Sequence, residues 1–166
     1  MGRGELITLR EFLAGDAPAL RAVFESAIHG TARRDYTSLQ LDAWAPRAHD
    51  AAAWAARMQG LAPFVALADG RPVGYADLQA SGEIDHFYVA AEAAGQGVGG
   101  RLMRRILAQA EALSLAELTS DVSLTAEPFF AHFGFEIVEN RVVDVRGVGL
   151  RNTAMRKPLR QRATWR

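Results

Sequence analysis

A chain of 166 residues, 49% of them apolar, suits one domain that buries its own core without help from disulfides or metal. Nineteen Lys plus Arg against nineteen Asp plus Glu leave no global basic field for nucleic acid, which points to a small ligand. With no Cys, structural disulfides, thiolate metal sites and a covalent acyl-cysteine are excluded, and the four His lack the i, i+4 spacing of a helical metal pair, so no metal is expected.

Glu5 to Phe12 alternates as a strand. Asp16, as N-cap, and Pro18 then mark the start of a helix with apolar positions Leu20, Val23, Phe24, Ala27 and Ile28, which should stop near Gly30. After the polar TARRDYTS, a short helix runs through Leu39, Leu41 and Trp44 to Pro46, and Asp50 to Gln59 reads as an Ala-rich helix carrying Trp54. There the pattern changes: PFVALADGRPVGYADL places apolar runs on both sides of Asp69-Gly70, which is a hairpin signal, and Ile84 to Val89 continues as a strand. Val98, Leu102, Ile106, Ala110 and Leu113 form the apolar stripe of a helix that opens inside a glycine run, with Arg101, Arg104, Arg105 and Gln109 facing away. Leu115 to Leu124 reads as a strand, Ala126 to Phe133 as a short helix, and Phe135 to Val145 with Gly149 to Met155 as a hairpin turning near Arg146-Gly147.

That order predicts an α+β domain over residues 1–158, in which helices flank a mixed, mostly antiparallel sheet. The closing KPLRQRATWR reads as a basic, solvated end, with the tail proper at 159–166. No apolar run reaches the roughly 18 residues of a membrane span, and MGRGELITLREF lacks a signal-peptide core. A soluble cytoplasmic protein is the default expectation.

The stretch AAGQGVGGRL fits G-x-G-x-x-G from Gly95 to Gly100. As a Rossmann dinucleotide site it draws some support from Glu117 and Asp121, which lie near the distance of a ribose-binding acid. However, Ala90 to Ala94 separate it from the preceding strand, and the strands before it form hairpins rather than a βαβ unit. A P-loop is excluded because no Lys-Ser or Lys-Thr follows. A plain turn does not need so many flexible residues. What remains is a diphosphate cradle, built from successive backbone N–H groups and the positive end of the helix that starts at about Val98.

The run IDHFYVAAEAAGQGVGGRLM resembles the central motif of the GNAT N-acetyltransferases, in which a strand ends in an apolar-aromatic-Val triplet and Q/R-x-x-G-x-G/A opens a helix. The match places Phe87, Tyr88 and Val89 at the triplet, Ala94 at the Q/R position, and Gly97 and Gly99 at the motif glycines. The DGRPVG hairpin and FFAHFGFEIV fall in the family's order as well. The resemblance implies a GNAT-like fold and acetyl-CoA as co-substrate, with the triplet backbone on the pantetheine arm and acetyl carbonyl. By the same match Gly95, Gln96, Gly97, Val98, Gly99 and Gly100 form the diphosphate loop. Phe130 stands on the coenzyme side, where many members carry a Tyr that protonates the departing thiolate, and Ser123 falls at the family's common Asn.

Transfer of acetyl to an amine needs a base, because a lysine-type amine has a solution pKa of about 10.4. Glu83 and Asp85, two apart on the strand leading to the triplet, are the candidates, and by the resemblance Glu83 matches the base of the histone-modifying branch. His86 points to the other face by alternation and reads as structural. A strand N–H near Val89 polarises the carbonyl, and Tyr88, Ser123 or His132 could protonate the thiolate, Ser123 foremost by the family alignment. In the N-terminal third, Tyr36 and Trp44 suit an apolar acceptor wall and Asp35 or Asp42 a cation, while Arg33 and Arg34 read as solvated. The expectation is direct transfer to a small-molecule or peptide amine, with no nucleic-acid or membrane partner and a homodimer left open. The alternative is a non-catalytic acyl-CoA sensor or interaction domain of the same fold.

Overall fold

The computed structural model describes residues 4–160. Its first sheet is antiparallel, in the order β1 (Ile7–Glu11), β2 (Phe64–Ala68), β3 (Arg71–Ala76) and β4 (Phe87–Val89). The second places β7 (Val148–Pro158) between β5 (Glu117–Ser123) and β6 (Glu136–Val145), again antiparallel. Both hairpins turn where the sequence signals them: Asp69 and Gly70 have φ of 48° and 82°, Arg146 and Gly147 of 52° and 81°. Positive φ at both central residues matches the twist of the flanking strands.

On one face of the first sheet lie α1 (Ala17–Glu25), α2 (Ser38–Trp44) and α3 (Ala51–Leu61), enclosing a core of Leu20, Phe24, Trp54, Met58 and Tyr75. On the other lie α4 (Val98–Ala112) and α5 (Glu127–His132), around Leu102, Met103, Ile106, Leu118 and Phe130. The stripe of α4 is as predicted except at its end: Met103 joins the core, whereas Leu113, just past the last helical residue, is 48% exposed. The start of α4 sits tightly on β3, because a Cβ at Gly74 would lie 2.9 Å from Val98 Cγ1.

Three local expectations need correction. Asp16 sits at the N-cap of α1, but its carboxylate does not bond that helix; it takes the Leu13 N–H at 2.8 Å and Arg10 at 2.6 Å, and the Arg10 bond holds it below the usual carboxylate range. The first helix ends near Gly30 as expected, its last stretch, Ser26–Thr31, being a π turn. The strand expected from Ile84 begins only at Phe87, since Gly82 and Ile84 bond to Thr119 of β5 and the buried Asp77 carboxylate takes the His86 N–H at 2.6 Å. At the chain's end, Lys157 and Pro158 finish β7 rather than start a free tail, and the Leu159 N–H donates to Ala116 O at 2.8 Å. Residues 161–166 of the predicted tail lie outside the described residues.

Candidate active site

The glycine run forms a loop and the first turn of α4. Gly95 and Gly97 have φ of 77° and 84°, and Gly97 is the N-cap of α4 with no side-chain capping bond. A left-handed cap suits Gly, whereas a Cβ is strained there. Nothing lies within 4 Å of a Cβ added at either position, so the space in front of the loop is open. The first N–H groups of this 15-residue helix therefore end at open space with the positive end of its dipole, a site for an anion. Val98, 1% exposed, anchors the turn in the core through its side chain, while Gln96 is exposed with its amide on Glu92 O at 3.4 Å. Gly99 lets the helix pass Phe129, whose ring a Cβ there would meet at 3.2 Å.

Beside this cradle, β4 has an open edge. His86 C=O accepts the Asp77 N–H at 3.1 Å, and the Ala90 N–H donates to Val73 C=O at 2.8 Å. Antiparallel alternation then turns the backbone groups of Phe87 and Val89 to the opposite edge, toward β5. The two strands meet only below that edge: Ile84 N–H donates to Thr119 O at 2.8 Å, and Ser120 Oγ to Ile84 O at 2.8 Å. Above it β5 belongs to the other sheet. The gap opens into a cavity of about 210 Å³ with Phe87, Tyr88 and Val89 on one wall and Ser123 and Phe129 on the other. Tyr36 braces the far wall, accepting the Leu124 N–H at 2.9 Å and donating to Arg151 O at 2.6 Å. Trp44, 5.4 Å from Tyr36 between ring centroids, lines the cavity as expected of the apolar wall, but Tyr36 itself does not.

The predicted catalytic residues separate. Ser123 lines the cavity; its Oγ accepts the Ala126 N–H at 3.1 Å, and its own proton has no acceptor among the described residues. Glu83 and Asp85 are exposed and line no part of this cavity. Glu83 borders a separate pocket of about 300 Å³ with Glu117, Asp121, Arg141 and Arg156, and Asp85 is ion-paired to Arg57 at 3.2 Å. Phe130, expected on the coenzyme side, does not line this cavity: 2% exposed, it packs between Phe87 and Phe135, at 5.5 and 4.9 Å. On so short a helix only one of two adjacent rings can face the cavity, and that is Phe129. His132 is exposed on α5 and outside the cavity. Burial lifts the Tyr88 hydroxyl well above its ordinary range and keeps it protonated on the cavity wall. Asp35 accepts the Thr125 hydroxyl at 2.7 Å, and the Asp42 side chain is 71% exposed.

Arg34 is exposed, as its solvated reading expects, but sequence reasoning missed that it borders the cavity, and it missed Phe129, which only the doubled Phe could have flagged. It also missed the partners of His86. Arg57 Nε donates to His86 Nε2 at 3.3 Å, so the ring proton sits on Nδ1, 3.0 Å from the Tyr75 hydroxyl. No group of three or more metal-binding side chains occurs among the described residues, and no helix among them is long and apolar enough to cross a membrane.

A family described as acetyltransferase (GNAT) domain matches residues 32–159. An uncharacterised N-acetyltransferase of Escherichia coli, YafP, is 33% identical over 150 residues, which is 90% of this chain and 95% of the relative. The crystal structure of a GCN5-related N-acetyltransferase from Rhodopseudomonas palustris superposes with a TM-score of 0.88 at 34% identity, over 96% of this chain and 99% of its own. YncA of Salmonella typhimurium, a putative acetyltransferase solved with acetyl-CoA, shares the fold at a TM-score of 0.68 and 19% identity, over 97% and 98% of the two chains.

Proposed function

The chain belongs to the GNAT acetyltransferase family, and from that premise we propose that it is an acetyl-CoA-dependent N-acetyltransferase that transfers directly to a primary amine of a small molecule or peptide. One observation carries this reading: the open backbone edge at Phe87 and Val89 adjoins the uncapped, unobstructed glycine start of α4. Acetyl-CoA needs both, an extended partner for its amide-bearing arm and N–H groups for its diphosphate. The arm lies along Phe87 to Val89 in this reading, and the diphosphate lies at Gly95 to Gly100. The bound acetyl-CoA of the Salmonella relative supports the choice of co-substrate.

In the reaction, the amine lone pair attacks the thioester carbonyl carbon and a C–N bond forms. The Val89 N–H meets the charge that develops on oxygen, as a fixed dipole that needs no reorganisation. Collapse breaks the C–S bond; the acetyl group stays on nitrogen and the electron pair leaves on sulfur. With an ordinary thiol pKa of about 8.5, the thiolate is a tolerable leaving group, and in this reading the Ser123 hydroxyl, which lines the cavity, hydrogen-bonds it. We assign proton removal from the amine to water relayed to Glu83, which has no ion-pair partner among the described residues, rather than to Asp85, which is held by Arg57.

The test is release of free thiol from acetyl-CoA across a panel of amines, run beside thermal unfolding with and without coenzyme. An amine-dependent rate and a melting shift are expected. If no amine raises release above background while the shift persists, the non-catalytic acyl-CoA-binding reading becomes the better account. The absence of a carboxylate among the described residues that line the cavity favours that alternative.

A further inference from the structure

The cavity is apolar around most of its wall, where Ala27, Ile28, Trp44 and Tyr88 present hydrocarbon and aromatic faces. Arg34 is the one charged side chain among the described residues that line it. It closes the turn Ala32–Arg34, which follows directly on the π turn that supplies Ala27, Ile28 and Thr31 to the same wall. Arg34 is exposed and has no hydrogen bond or ion pair with any described residue. The acid next to it, Asp35, is bonded to Thr125 instead. A guanidinium is planar and always charged, and it takes a carboxylate with paired N–H bonds. Among the described residues no anionic side chain lines the cavity to receive a second ammonium group, so a polyamine or lysine-rich acceptor finds no counter-charge from them.

We propose that Arg34 is an anion site for the acceptor, and that the acceptor is a small amine carrying a carboxylate and an apolar body. This rests on the acetyltransferase reading above and narrows its substrate class. The amine nitrogen approaches the thioester at the β4 edge while Trp44 and Tyr88 cover the apolar body and Arg34 holds the carboxylate. The group transferred and the bonds made and broken are those already given; Arg34 takes no part in them and acts as a specificity residue. The rival source of an anion is coenzyme A itself, whose phosphates could reach Arg34 instead of the cradle.

Two measurements on the full-length protein test the assignment. Thiol release is compared for leucine, leucinamide and isoamylamine with wild type and with Arg34→Gln and Arg34→Lys. Leucine is expected to be the best acceptor, and Arg34→Gln to raise its KM by about tenfold or more, as loss of a hydrogen bond to a charged group does. The KM values for leucinamide and for acetyl-CoA should not move, and Arg34→Lys should restore leucine in part. Equal use of leucine and leucinamide overturns the proposal, as does a rise in the KM for acetyl-CoA, which would give Arg34 to the coenzyme. The second measurement needs no turnover: N-acetyl-leucine and N-acetyl-leucinamide are titrated into the coenzyme-A-loaded protein by calorimetry. Binding of the acid alone, lost in Arg34→Gln, supports the site even if no amine is acetylated, and that combination would sink the catalytic reading while leaving the anion site standing. No preference for the acid overturns the proposal whatever the kinetics.

Discussion

Arg57, on α3, donates its Nε hydrogen to Nε2 of His86, just before β4, at 3.3 Å. The same guanidinium reaches the Asp85 carboxylate at 3.2 Å, and the other ring nitrogen of His86 meets the Tyr75 hydroxyl at 3.0 Å. A chain of polar groups thus passes from solvent into the aromatic core that backs the Tyr88 wall.

The first prediction follows from that chain. Burial above all, and then the Arg57 charge, push the His86 pKa down to about 3 from 6.5. Between those values the unfolded chain holds a proton that the folded chain refuses, so stability is complete above about 6.5 and falls as pH drops toward 3. The loss is up to about 1.4 kcal/mol per pH unit in that window. Burial shifts Asp77 upward, which acts in the opposite sense, since that carboxylate favours the fold when protonated. Urea midpoints from pH 7 to 4 should decline for wild type and decline less steeply for His86→Phe. Parallel curves would show that His86 is not the group responsible.

Gly97→Glu should abolish coenzyme binding. The substitution puts bulk and negative charge in front of the α4 amides and strains a backbone at φ 84°. Strain of that kind costs about 1–3 kcal/mol, so the variant should still unfold cooperatively. Acetyl-CoA at about 100 times its Kd stabilises wild type by about 2.7 kcal/mol, and this gain should vanish in the variant. A variant that still gains it would place the diphosphate elsewhere.

Gly74 and Val98 can be tested against each other. A Cβ at position 74 would meet Val98 Cγ1 at 2.9 Å, Tyr88 O at 3.2 Å and Leu102 Cδ1 at 3.3 Å. Gly74→Ala should destabilise by about 1–3 kcal/mol through overpacking. In the Val98→Ala background the same change should cost less, because one of the clashing atoms has gone. Additive costs in chemical denaturation would mean that the two residues are not coupled.

Kinetics separate the acid–base candidates. Glu83→Gln should lower kcat by about 100-fold, the low end for loss of a general base, with the acetyl-CoA melting shift intact. Asp85→Asn should have little effect, its carboxylate being tied to Arg57 at the surface. Ser123→Ala should slow turnover less than about tenfold, since a thiolate of ordinary pKa leaves largely unaided. If Glu83→Gln turns over at the wild-type rate, the amine loses its proton to solvent alone.

Much of the fold is legible locally. Asp69-Gly70 and Arg146-Gly147 turn where the sequence signals them, because Gly70, Gly147 and to a lesser degree Asp69 tolerate positive φ, a property of a residue and its immediate neighbours. The start of α4 at Val98 follows from helical period and the glycines before it. Glu83 and Asp85 look alike in the sequence, both exposed by alternation, yet one borders a pocket by β5 and the other is paired to α3. Only the packing of distant elements distinguishes them.

The sequence by itself determined the class of fold and the glycine-rich opening of α4, because period, turn chemistry and missing Cβ atoms act over a few residues. The tertiary structure decided which groups share the cavity: β5 leaves β4 just above Ile84, Phe129 rather than Phe130 faces the gap, and Arg34 arrives from a turn more than fifty residues before Phe87. Those outcomes depend on where two sheets diverge and on which ring a short helix buries, and each is set by contacts between segments that no local pattern connects.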